Sequence, residues 1–466
     1  AKDFIIETPV EGTLLTKKGD GWMKLNTACP SLERLALDGG TVQCVACDKP
    51  ARTVEFRSGT LYENTGSSYA IHVPEGGSGT WSLANRSTYT NKITGEGTLT
   101  IYCAVEHGNG WFATRTPVAV NLAQFTGTIN ATADMADTYP RFTLNTSSGM
   151  PDGTLNIAGG VTVQNTGRTF RIGKLAGKGA LGGYASFAND GATGVNTWQV
   201  GCDDDFAWAG TVTANSKFEK VGSGKMTVSG VWDNTGEVAV KEGTLCLNDR
   251  SAENAMLGSG ELSVEDGAVL CGLGKLGNAS VTVERGGRLY SGTREGASSG
   301  ALDFSGKRLT VSAGGEVMFN VASKVRCTTL EGISSFSLRG TLKVSVREGL
   351  ELEAGDEFQL WTANRTVLSS ACTLDLDSPG EGLEWDTSAL EDGVLKVKTA
   401  TGITGVVSGE PVDCVVYTLD GARAGYFTCM PSEVREYMEE NGFKSGMYMV
   451  KMTQGQRTVS RKVTVD

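Results

Sequence analysis

Histidine is almost missing from this chain: His72 and His107 are the only two in 466 residues. That shortage removes most metal centres and most acid–base designs built on imidazole. Proline is scarce as well, at 10 residues. No cluster of Lys and Arg forms the basic footprint that nucleic acid requires, and the net charge is −11, so no nucleic-acid partner is expected. No run approaches 18 consecutive apolar residues, so no transmembrane segment is expected. The opening Ala1-Lys2-Asp3 has neither a basic nor an apolar leader region. The chain is therefore read either as cytosolic or as having lost a signal peptide before Ala1.

Glycine is what the chain has in excess, with 63 residues and no strict three-residue period, which excludes collagen. Apolar residues at 39% and charged residues at 20% suffice for a core. Self-similarity organises the rest. Val238-Ala-Val240-Lys-Glu-Gly243-Thr-Leu245-Cys-Leu247 alternates, turns at glycine and alternates again. The unit recurs around Val264 and Gly267, around Val283 and Gly287, and around Val311 and Gly315. Earlier copies centre on Gly40, Gly59 and Gly160. Period two sends one face of each short strand inward, and glycine permits the corner.

From Val240 through Val264 and Val283 to Val311 the steps are 24, 19 and 28 residues. Hairpins repeat every 8–12 residues, so these steps suit whole turns of a coil. The predicted fold is all-β: a right-handed parallel β-helix over residues 1–399, followed by a small β-sandwich over 400–466. The hand follows the general rule for parallel crossovers. Two or three separate β-sandwiches are the alternative.

Residues 218–249 resemble the autotransporter-associated β-strand repeat of Gram-negative passenger domains. Lys220, Gly222, Gly224, Gly230, Asn234, Gly236, Gly243 and Leu245 stand at its turn and ladder positions. A weaker copy spans Leu15 to Cys44, with Lys18, Gly19, Gly21, Gly40 and Val42. The stretches from Gly258 to Thr293 and from Leu338 to Ser388 resemble the rungs and the usual end of such passengers. After Thr399, Val412–Gly421, Ser445–Lys451 and Arg461–Asp466 resemble the small sorting domain of secreted Bacteroidetes proteins. Between them, Pro431 to Asn441 reads as an amphipathic helix with Val434, Tyr437 and Met438 on one face and Gly442 as its stop. The resemblance implies an extracellular or cell-surface protein and implies no reaction.

Chemical signals are few. Gly177-Lys-Gly-Ala-Leu-Gly182 and Gly272-Leu-Gly-Lys-Leu-Gly277 match a dinucleotide string, but another strand unit follows the second where a helix is needed. Gly296-Ala-Ser298-Ser-Gly300 matches a nucleophile elbow, yet no histidine follows it. Cys44-Val-Ala-Cys47 has the spacing of half a zinc site without a second pair. Most of the 11 cysteines read as small core residues, and Cys414 with Cys429 is the pair to test for a disulfide. No cofactor and no metal are expected.

The sharpest catalytic candidates are Asp203, Asp204 and Asp205, since adjacent carboxylates can divide acid and base roles in glycoside cleavage. The competing reading is a solvated turn, or a passive calcium loop. Trp111, Trp198, Trp208 and Trp232 read as lying near loops, where aromatic faces could stack on sugar rings. The function expected is therefore a non-enzymatic, monomeric adhesin or display scaffold, with glycans or host and cell-surface proteins as partners. A polysaccharide lyase or glycoside hydrolase using Asp203–Asp205 is the alternative.

Overall fold

A computed structural model describes residues 4–465 except 45–46, 64–65, 85–88, 105–116, 134–140, 145–147, 166, 184–195, 214–215, 249–255, 298, 400–409, 432 and 456. His107 and Trp111 lie outside the described residues. The chain is nearly all β, and from Phe4 to Leu376 its short strands pair almost wholly in parallel with strands one coil away. This is the predicted parallel β-helix.

The repeat spacing is the coil spacing. Val240 pairs with Val264, Val264 with Val283, and Val283 with Val311. The unequal steps of 24, 19 and 28 residues thus all return the chain to one register, the excess going into loops. Inward columns run the length of the coil. One passes Phe170, Trp198, Phe218, Val238, Leu262, Val281, Leu309 and Phe336. Its members are all buried, and they belong to a single apolar core extending from Ile6 to Val397. An antiparallel sheet of Glu357–Gln359, Leu383–Asp386 and Val394–Thr399 contributes Phe358, Leu395 and Val397 to that core.

Corner geometry explains the glycines and the repeat's lysine. Lys220 occupies an inward column between Val200 and Val240 and is fully buried. Its ammonium donates to the carbonyls of Val221 (3.0 Å), Gly222 (2.7 Å) and Glu242 (3.1 Å), filling a corner whose carbonyls face inward. Burial holds its pKa down to about 8. Gly243, with φ +64°, lies above: a Cβ there would sit 2.5–2.7 Å from three carbonyl oxygens of the coil below. The N-terminal copy repeats this device with Lys17, whose Nζ donates to the carbonyls of Lys18 (2.9 Å) and Gly19 (2.7 Å). Gly40 covers it. Lys17 stands two residues before Gly19 as Lys220 stands two before Gly222, and it is Lys17, not Lys18, that fills this corner.

Residues 412–465 have their own apolar core. Four antiparallel strands are ordered Arg423–Cys429, Val412–Thr418, Gly446–Gln454, Arg457–Val465. The sequence predicted a β-sandwich here. Among the described residues there is one sheet, and the helix Val434–Glu440 supplies Val434 and Met438 to the core on it, with Tyr437 stacked on Phe427 at 4.4 Å. Gly442, with φ +81°, follows the helix as expected. Among the described residues, no helix is long and apolar enough to cross a membrane.

One inward column carries a carboxylate: Cys44, Glu63 and Leu83 are successive register partners. Glu63 accepts from Trp81 Nε1 (2.6 Å) and Ser67 Oγ (3.1 Å). Burial still raises its pKa from 4.5 to about 7, against the lowering effect of those hydrogen bonds. The folded chain therefore keeps a proton that the unfolded chain releases near pH 4.5. Stability is fully present below that pH, falls as pH rises toward 7, and stays lower above it. Glu63→Gln removes this loss, so denaturant melts should show the variant gaining about 3 kcal/mol on the wild type between pH 4 and pH 8.

Candidate functional site

Asp203, Asp204 and Asp205 form the turn between the strands Asn196–Val200 and Phe206–Trp208. Each carboxylate is engaged separately with a neighbouring coil. Asp203 Oδ1 accepts from Ser223 Oγ at 2.8 Å, and Asp205 Oδ1 accepts from the Lys225 backbone N–H at 2.7 Å. Asp204 pairs with Lys174 Nζ at 2.6 Å. The Ser223 hydrogen bonds hold Asp203 below the usual carboxylate range. A general acid needs the opposite shift. In the fold, Asp203 and Asp205 cap the corner of the following coil, and Asp204 ties back to the preceding one. Among the described residues, no group of three or more His, Cys, Asp or Glu is placed to hold a metal ion.

The tryptophan reading needs correction. Trp198, Trp208 and Trp232 are at most 1% exposed. Trp198 packs on Phe170, and Trp232 packs on Phe218 and Trp208, with ring centroids 4.6–5.9 Å apart inside the coil. Their faces are occupied by core side chains and are closed to a surface sugar. The strand alternation around each of them directs the ring inward. His72 lies in the strand Ala70–Val73 with Nδ1 3.2 Å from Thr94 Oγ1, as a strand residue should. The string Gly272–Gly277 runs through the strand Val269–Lys275 with no helix after it.

Among the described residues, a concave feature lies elsewhere, under the loop that follows the strand Arg288–Ser291. Gly292, with φ +97°, reverses the chain, and a Cβ there would lie 2.5 Å from Ala297 Cβ. The loop is pinned at several points. Gly292 N–H donates to Gly272 O (2.8 Å), Asn320 Nδ2 to Ala297 O (2.7 Å), and Lys225 Nζ to Thr293 O. Beneath it opens a cavity of about 260 Å³, walled by Tyr290, Ser291, Glu295, Met318 and Asn320. A second depression of about 540 Å³, with Arg294 and Arg347, shares Gly296 and Asn320 with it.

Glu295 is tied to Arg288 at 3.7 Å. Arg294 and Arg347 are exposed, and neither is in an ion pair among the described residues. Burial pushes the Tyr290 phenol well up, so it stays a neutral hydroxyl across the physiological range. Ser291 Oγ donates to Gly300 O at 3.0 Å. The arrangement offers two guanidiniums, an amide, a phenol and a thioether face. Their chemistry is complementary to that of a polar, partly anionic ligand with some apolar surface.

Tyr290, Arg294, Asn320 and Arg347 were not singled out from the sequence. The available signal was the 28-residue step from Val283 to Val311, whose extra length forms the covering loop.

No protein-family model and no curated protein matches the chain.

Replacing Asp203 and Asp205 with Asn weakens two corner caps. We expect a drop of a few degrees in the thermal midpoint followed by circular dichroism, with the β spectrum of the folded protein unchanged. A purely solvated turn would show no drop.

Proposed function

We propose that the chain is a secreted or cell-surface β-helix of the autotransporter-repeat type, a non-enzymatic adhesin or display rod that binds a saccharide in the cleft beneath residues 292–297. The observation that carries this reading is the cleft itself, walled by Tyr290 and Asn320, together with the adjoining depression that holds Arg294 and Arg347 and shares Asn320 with it. Guanidiniums match carboxylate or sulfate groups on a glycan, and Tyr290 with Met318 offers surface to a sugar ring. The recurrence of the lysine-filled corner at Lys17 and Lys220 supports the repeat assignment. Residues 412–465 are proposed as a sorting module, on the strength of the sequence resemblance. The alternative, glycan cleavage by Asp203–Asp205, has less support, because each carboxylate is engaged separately in holding a coil or its corner.

A glycan array probed with the full chain tests the proposal. Binding should be strongest to uronate- or sulfate-bearing glycans and weaken as salt rises. An Arg294→Ala/Arg347→Ala variant with an unchanged circular-dichroism spectrum should lose at least tenfold in affinity. Turnover of any bound polysaccharide, or equal binding by the variant, would contradict it.

A further inference from the structure

We propose that Cys246 and Cys271 form a cystine that staples two neighbouring coils, in the column that continues into Tyr290 of the cleft wall. The two residues are direct register partners in the strands Thr244–Asn248 and Val269–Lys275. Register partners on adjacent parallel strands have Cα atoms about 4.8 Å apart, inside the span a disulfide bridges. Both cysteines project from the outer face, opposite to the inward Leu245 and Leu270, and form a small apolar cluster with Val269 and Tyr290.

That outer face is nevertheless sealed. Cys246 and Cys271 are 0% exposed. Cys246 Sγ lies 3.8 Å from the Thr293 carbonyl of the covering loop, and Lys225 Nζ donates to the same oxygen. In the structure both are free thiols, each close enough to perturb the other's ionisation. That contact and the Lys225 charge hold the Cys246 thiol below its ordinary value, while its partner is driven well above. Tyr290, next in the column, packs on Cys271 and walls the cleft.

The pair suggested by sequence is less well placed. Cys414 stands opposite Phe427, and Cys429 stands opposite Val412, so these thiols meet only along a diagonal. Diagonal neighbours across an antiparallel pair lie about 7–8 Å apart, at or beyond the usual limit.

An external disulfide such as oxidised glutathione supplies the oxidising equivalents. The Cys246 thiolate attacks one of its sulfurs, forming a mixed disulfide and releasing one glutathione thiol. Cys271, not yet buried at that stage, gives up its proton to solvent and attacks the Cys246 sulfur, forming the S–S bond and expelling the second glutathione, which leaves as its thiol. Two protein thiols are oxidised and one glutathione disulfide is reduced. The exchange takes place while the chain is coiling, before the loop closes over the thiols. The cross-link is a property of the fold, so its test does not depend on the proposed location or ligand.

The full chain is refolded in a glutathione redox buffer, denatured, alkylated with iodoacetamide and mapped as tryptic peptides by mass spectrometry. The expected result is a peptide pair joined through Cys246 and Cys271, lighter by about 2 Da than the two thiol forms. A parallel refolding in dithiothreitol should leave both cysteines alkylated. Refolded β-rich protein with both cysteines alkylated after the oxidising arm, or with either joined to another cysteine, would overturn the proposal.

Discussion

Everything in the coil depends on register between one turn and the next. A strand of three to five residues has too few backbone hydrogen bonds and too narrow an apolar stripe to persist alone. Stacked at about 4.8 Å, each turn satisfies its neighbour's amides, and each inward side chain lands on its counterpart. Because register is fixed, substitutions act along columns. Lys220 is tolerated between two valines because the corner carbonyls of its own coil and the next neutralise the cost of burying an ammonium. Glu63 is tolerated because Trp81 and Ser67 donate to it, and because it can take up a proton.

The same constraint locates the cleft. Coils of unequal length must still close on one register, so surplus residues are pushed outward as loops. The long step between Val283 and Val311 holds the Thr293–Ala297 loop over an outer face that elsewhere lies open. A flat column of Cys246, Cys271, Tyr290 and Met318 thereby acquires a roof, and a solvent-facing position becomes a buried one. In such a coil, concave surfaces arise from the turns and not from the core.

The coil was legible from sequence because inside and outside alternate residue by residue and glycine marks each corner. Val240, Val264, Val283 and Val311 could be aligned by eye. The helix at Val434–Glu440 was legible for the parallel reason at period 3.6, although what it packs on was not. Other features are tertiary. Trp198, Trp208 and Trp232 sit near breaks in the pattern and read as loop residues, yet short strands direct all three inward. Cys246 and Cys271 occupy outward positions 25 residues apart, and only the coil spacing makes them neighbours. The aspartate run looked catalytic because sequence shows the carboxylates side by side and cannot show the Ser223 and Lys225 groups of the following coil that engage two of them.

The most direct test is the separation of residues on one outward column. Gln199, Glu219, Ala239, Ser263, Thr282, Thr310 and Ser337 are successive register partners. Spin labels carried on unnatural amino acids at Gln199 and Ser263, and at Gln199 and Ser337, should report distances by electron–electron resonance of about 14 Å and about 29 Å. Doubling of the distance with doubling of the coil count is the predicted result. Separations that do not scale with coil number, as separate β-sandwiches would give, would contradict the account.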